Sequence, residues 1–288
     1  MKKSAITLIC ILSVLLPCAA FSETFDELLE EKQLLCQALW TAEEWSEVLL
    51  PIGAYEIGVD IPAGEWTFYA YDYSRPRIHY GRELMPGGAR MHEGNVAEWA
   101  ETVKSPKFDH FDSRTDKSYF TAKLKSRRYI VVKYGMTWIS KEDDKPIQFA
   151  GNADNPYTEM NGEEIRKRID EISELLKASP EYNEIIVETG VWKIGEDIPA
   201  GKYEIRPLEG EKTGIEYGTR VAEDGLQLDK ARSIWATLVD EKNTSYDKTE
   251  DLSVDYWTME EGDFFAVVRE GKPAVLTTYI GREPFVFR

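Results

Sequence analysis

The sequence is short of the residues from which many sites are built. It has three cysteines and three histidines in 288 residues. Cys10 and Cys18 fall within the first 22 residues, so Cys36 stands alone in the rest of the chain. That excludes a disulfide framework and a cysteine-built zinc site there. The lone thiol is expected to sit buried on a helix face. Positive charge is scarce as well. Lys and Arg number 35 against 52 Asp and Glu, for a net charge of −17. Such a chain has no electrostatic reason to seek nucleic acid or anionic lipid. After residue 22 no apolar run is long enough to span a membrane. There is no Gly-rich phosphate loop, no Gly-x-Ser-x-Gly and no Cys–His pairing. The chain is therefore read as a non-enzyme without a cofactor.

What is present begins with an address. Lys2 and Lys3 form a basic start, Ala5 to Leu16 an apolar stretch, and Ala20-Phe21-Ser22 a small-residue cleavage site. Residues 1–22 are expected to be a signal peptide, placing the protein in the periplasm, outside the cell or at its surface. Loss of Lys2 and Lys3 would take the net charge from −17 to −19. Pro17 before Cys18 makes a poor lipobox, which disfavours a lipid anchor.

The dominant feature is a repeat. Tyr55-Glu-Ile-Gly-Val-Asp-Ile-Pro-Ala-Gly-Glu-Trp66 returns 137 residues later as Trp192-Lys-Ile-Gly-Glu-Asp-Ile-Pro-Ala-Gly-Lys-Tyr203, with seven of twelve positions identical. Ile78-His-Tyr-Gly81 matches Ile215-Glu-Tyr-Gly218 at the same offset. Trp99 to Val103 aligns loosely with Trp235 to Val239, and Tyr129 to Gly135 with Phe265 to Gly271, both at an offset of 136. The last pair reads as strands buried on both faces. So long a period predicts a duplicated domain rather than a solenoid.

The local patterns predict the following organisation. Residues 23–50 are helical, with Phe25, Leu28, Leu29, Leu35 and Leu39 in a stripe that docks on the first domain. Thr41 to Glu44 resembles a capping box opening a second short helix with Trp45, Val48 and Leu49. Residues 51–150 form the first β domain, 151–184 a helical linker and 185–288 the second β domain. The linker helix is capped by Asn161 with Glu164 and carries Ile165, Ile169, Ile172, Leu175 and Leu176. Short strands punctuated by Gly and Pro predict a mainly β chain of two similar β-sandwich or jelly-roll-like domains. At each repeat, Asp60-Ile-Pro62-Ala-Gly64 and Asp197-Ile-Pro199-Ala-Gly201 predict a hairpin. Pro presets the turn and Gly supplies a left-handed residue. Asp60 and Asp197 are expected to cap local N–H groups.

The aromatic-x-Ile-Gly-x-Asp-Ile-Pro-Ala-Gly-x-aromatic signature, at 55–66 and 192–203, resembles a module of bacterial secreted proteins and lipoproteins that opens on Y-x-V-G-x-D-I-P-A-G-x-Y. The resemblance implies an extracytoplasmic β domain. It brings no catalytic residue to either copy.

Candidate chemistry is thin. His79, His92 and His110, with Asp109 and Asp112, lack the close spacing of a metal site and read as scattered surface residues. Lys141 to Asp144 and Asn152 to Asn155 are sparse versions of a calcium loop. Asn243-Thr-Ser245 matches a glycosylation sequon that is accidental in a bacterial protein. One stretch stands out against the acidic background. Tyr69, Tyr71, Tyr73, Arg75, Arg77 and His79 occupy every second position, and a continuous strand would put all six on one face. Pro76 argues for a break or an edge. The second copy does not repeat the stripe. Tyr and Arg together suit carbohydrate or an acidic polymer, though cross-strand packing would explain them too. The expected role is an exported binding or interaction protein with a surface glycan, polymer or envelope protein as partner. A glycan or peptide hydrolase and a structural envelope component are the alternatives.

Overall fold

The computed structural model describes residues 23–288 except 43, 85–96, 144, 151–154, 224–226, 231–232, 248–250 and 269–271. Residues 1–22, expected to be a signal peptide and holding Cys10 and Cys18, lie outside the described residues, as do His92, Asp144 and Asn152 to Asp154. No described helix is long and apolar enough to cross a membrane.

The chain opens with helix α1 (Phe25–Ala42). Eight strands follow: β1 (Val48–Leu50), β2 (Gly53–Ile57), β3 (Gly64–Ala70), β4 (Arg77–Gly81), β5 (Ala97–Thr102), β6 (Tyr119–Leu124), β7 (Arg128–Lys133) and β8 (Thr137–Lys141). Helix α2 (Gly162–Ala178) leads to β9 (Glu184–Val187), β10 (Gly190–Lys193), β11 (Gly201–Pro207) and β12 (Lys212–Gly218). The chain ends with β13 (Ser233–Val239), β14 (Asp255–Met259), β15 (Phe264–Val268), β16 (Ala274–Thr278) and β17 (Val286–Phe287).

The strands build two similar β-sandwiches. In the first, sheets of order β1-β8-β3-β6 and β2-β7-β4-β5 face each other; in the second, β9-β16-β11-β14 and β10-β15-β12-β13 repeat that order. All ladders are antiparallel, and the order is that of a jelly roll. Each core fills the gap between its sheets. Trp66, Phe68, Ile78, Tyr80, Ile130 and Ile139 pack the first, and Tyr203, Ile205, Ile215, Tyr217, Phe265 and Leu276 the second.

The repeated signature is not a hairpin. Strands β2 and β3 belong to opposite sheets, as do β10 and β11, so the turn arches across the sandwich. The left-handed residues are Gly58 and Gly195, at φ 92° and 88°, rather than Gly64 and Gly201, which begin strands. Each arch closes identically. Gly58 N–H donates to the Ile61 carbonyl and Gly195 N–H to the Ile198 carbonyl, both at 2.7 Å. Asp60 accepts from Glu56 N–H at 2.7 Å and Asp197 from Lys193 N–H at 2.8 Å. The signature's aromatics anchor the same framework. Tyr55 and Trp192 donate to the carbonyls of Pro51 and Glu188, and Trp66 and Tyr203 to those of Pro62 and Pro199. Each reaches four residues back, which is why Tyr and Trp exchange between copies. A buried ring with a polar tip needs one such acceptor.

The later strands correct the repeat register. Tyr80 lies opposite Trp99, whereas Tyr217 lies opposite Ile234. Tyr55 lies opposite Ile130, and Trp192 opposite Phe265. Trp99 therefore corresponds to Ile234 and Ile130 to Phe265, an offset of 135 in place of 136. In a strand a one-residue shift exchanges the two faces. Trp99 packs against the core, while Trp235 stands in solvent with 60 % of its surface exposed.

The segments outside the sandwiches also differ from the sequence reading. Thr41 lies within α1, its hydroxyl donating to the Ala38 carbonyl, and the described residues 44–50 form no second short helix. Val48 and Leu50 instead alternate inward as β1, because an edge beside β8 offers them a ladder and a core. Helix α2 has the full capping box of Asn161 and Glu164. Its Ile165, Ile169, Ile172 and Leu176 meet Leu28, Leu35, Ala38 and Leu39 of α1, leaving Leu175 exposed. Bidentate Arg168–Glu31 contacts at 2.7 and 2.9 Å brace the helix pair. Helix α1 also inserts Trp40 into the first sandwich, edge-on to Trp45, Trp66, Phe285 and Phe287. The tail does not stay with the second module. Strand β17 pairs with β1 and extends the first module's sheet to five strands.

Candidate functional site

The six alternating residues do not share a face. Strand β3 ends at Ala70, and the chain then turns through Tyr71 to Ser74 with Asp72 left-handed at φ 38°. Tyr71 N–H donates to the Met136 carbonyl, and Ser74 N–H to the Tyr71 carbonyl. After Pro76 the chain enters β4 in the opposite sheet. Tyr69 therefore lies on the outer face of one sheet, and Arg77 and His79 on the outer face of the other. His79 is buried, not a surface residue. Tyr73 stays exposed at the turn, with Lys107 near its ring and paired with Asp72 at 3.1 Å.

Each half of the stripe joins partners that alternation alone did not reveal. On the five-stranded sheet, Val286, Leu49, Trp138, Tyr69 and Tyr119 stand directly opposite one another across β17, β1, β8, β3 and β6. Tyr71 adds a ring 6.1 Å from Trp138, and the Arg288 guanidinium covers Trp138 at 4.0 Å. This row spans the sheet.

The second half lines a groove. Arg75, Arg77, Ala100, Glu101, Thr102, Lys104, Thr115, Asp116, Lys117 and Tyr134 surround a cavity of about 550 Å³ beside β4 and β5. Four cations and two carboxylates meet there, in a chain of net charge −17. Lys104 pairs with Asp116 at 2.8 Å and Lys117 with Glu101 at 2.7 Å. The Asp112 N–H and Lys104 both bond Asp116, holding its carboxyl below the usual aspartate range. Arg75 stacks over Phe108 at 5.7 Å, and Tyr134 is exposed at the end of β7.

The second module has a groove at the equivalent place, with a volume of about 730 Å³. There Gly214 stands for Arg77, Glu216 for His79, Trp235 for Ala100 and Val268 for Lys133. The scaffold is common to both modules and the linings differ.

Asp60 and Asp197 stay with the turns. Asp60 has a second contact, 3.5 Å from Arg282 at the junction of the modules. A cavity of about 650 Å³ lies beside it, lined among others by Lys32, Cys36, Trp40, Lys202, Tyr279 and Arg282. Burial and the nearby Arg282 push the Lys202 ammonium below the usual lysine range, and its Nζ rests 3.8 Å above the Tyr279 ring. Cys36 is half-buried there, and burial pushes its thiol up to about 12. Among the described residues no cluster of three or more His, Cys, Asp or Glu could hold a metal ion. His110 sits alone in a left-handed turn, its carbonyl accepting from Lys104 at 2.7 Å.

No family model matches the chain. No curated protein matches it either. Among solved structures it is similar to a vicilin from Corylus avellana (hazelnut), at 11 % identity over 80 % of this chain and 73 % of that one, with a TM-score of 0.16.

Proposed function

We propose that this is an exported, non-catalytic binding protein whose first module holds an acidic glycan or another acidic polymer along the groove of Arg75 and Arg77. The carrying observation is the concentration of Arg75, Arg77, Lys104 and Lys117 in one groove of an otherwise acidic protein. Planar guanidinium groups suit carboxylate and sulfate, and the exposed Tyr134 adds a stacking surface. The groove's carboxylates favour binding over hydrolysis. Glu101 and Asp116 are each paired with a lysine, and Asp116 is held ionised, which suits it poorly for general-acid work. Export is supported by the basic and apolar pattern of residues 1–22, and by the resemblance of both signatures to a module of bacterial secreted proteins.

Affinity electrophoresis through polyuronate and sulfated polysaccharide tests the groove. The double variant R75A/R77A is expected to lose at least about tenfold in affinity, and the wild-type interaction to weaken with salt. Y69A/Y71A, altered on the opposite sheet and its edge, is expected to bind normally. Equal retention of wild type and R75A/R77A would sink the assignment. Fusing residues 1–22 to a periplasmic reporter tests export separately.

A further inference from the structure

We infer that the second module's groove is a separate binding site, which takes a neutral pyranose ring stacked on Trp235. This does not depend on which ligand occupies the first groove. Three observations converge on it.

The first is Trp235 itself. An indole with 60 % of its surface exposed contributes little to the core, and it replaces Ala100 at the same position of the common scaffold. Its neighbour Ile234 fills the core instead. The exposed indole is a flat apolar platform of the kind that the C–H face of a sugar ring covers.

The second is the floor. Gly214 sits opposite Thr237 and Val268, and a Cβ there would lie 2.6 Å from the Val268 carbonyl oxygen. Only glycine fits, so bare backbone floors the groove where the first module carries Arg77. A ligand can lie flat beside the indole.

The third is the rim. Glu216, Gln227, Lys230 and Thr237 line the same cavity, supplying donors and acceptors for hydroxyl groups. A volume of about 730 Å³ is within the range of small-molecule clefts, about 300–1,000 Å³. Lys212, Lys230 and Glu216 leave this lining one net positive charge, and it has no arginine, whereas the first groove has two net charges and two guanidinium groups. An aromatic platform, a flat floor and a polar rim together describe a neutral sugar site.

Hexasaccharides of β-1,4-glucose, β-1,4-N-acetylglucosamine and α-1,4-glucose would be titrated into the full chain by calorimetry and tryptophan fluorescence. At least one is expected to bind. W235A should weaken it at least tenfold, W235F should retain part of the affinity, and R75A/R77A should bind it unchanged. Because Trp235 is exposed, W235A should melt with the wild type. In the unaltered protein, the bound sugar should also slow N-bromosuccinimide oxidation of Trp235, read by peptide mass. Failure of all three sugars to bind, or equal binding by W235A, would overturn the inference. So would a W235A effect confined to self-association in sedimentation.

Discussion

The guanidinium Nε of Arg282 lies 3.5 Å from Oδ1 of Asp60, and this pair joins the chain's tail to the first arch. Arg282 also rests 4.7 Å from the centroid of Tyr55 and 4.9 Å from that of Tyr256, and it donates to the Ala54 carbonyl. Tyr55 and Asp60 belong to the first module and Tyr256 to the second. One side chain therefore bridges both. Asp197, at the equivalent place, caps its own arch through Lys193 N–H. The two aspartates are alike in sequence and differ in what they hold.

That difference predicts unequal costs. Asp197→Ala removes a cap and should cost about 1–2 kcal/mol. Asp60→Ala removes a cap and also leaves a largely buried guanidinium without its carboxylate, which should add about 1–3 kcal/mol. Urea unfolding of both variants measures the gap. Equal losses would mean that the Arg282 contact contributes nothing.

The junction should also be sensitive to alkali. Burial raises Tyr55, Tyr256 and Tyr279 above the ordinary value of 10.0, with Tyr279 at about 12. A tyrosine raised on folding binds its proton more tightly in the native state. Its stabilising effect is complete below pH 10 and is lost as pH rises through the folded value. The melting temperature should be flat to about pH 9.5 and fall from pH 10 toward pH 12. Tyr279→Phe should flatten part of that fall.

Cys36 gives a probe of opening. Its thiol is raised to about 12 by burial, so the reactive thiolate is scarce at pH 8. Ellman's reagent should label the native protein slowly and the urea-unfolded protein at once. Fast labelling of the native protein would show that the helix pair opens freely.

The tail should stabilise the first module selectively. Ser46 and Glu47 N–H both donate to the Arg288 carbonyl, and β17 covers the edge of β1. Deleting residues 286–288 removes that strand and the cover over Trp138. Hydrogen exchange should rise in β1 and β8 while β9 to β16 keep their protection. Uniform protection across both modules would refute the selective role.

Much of the scaffold was legible in the sequence because it rests on local chemistry. Asn161 and Glu164 are three residues apart, so their reciprocal cap needs nothing distant. Asp60 and Asp197 cap N–H groups four residues away. The repeat itself exposed the pairing of like modules. Where the sequence misled, the missing information was long-range. Val48 and Leu50 became a strand because β8 stood beside them, although the preceding residues carry a helical signal.

The amino-acid sequence by itself determined the mainly β class, the repeated turn with its aspartate cap and the amphipathic helix between the modules, but not that each turn arches between sheets. Spacing of apolar residues and turn chemistry act within a few residues, so they can be read along the chain. Only the tertiary structure decided which faces those residues occupy. The left-handed turn at Asp72 sends Tyr69 and Arg77 to opposite sheets. A one-residue difference in repeat register puts Trp99 in the core and Trp235 in solvent. Both outcomes depend on strand pairing between distant segments, and pairing register fixes side-chain direction with a period of two.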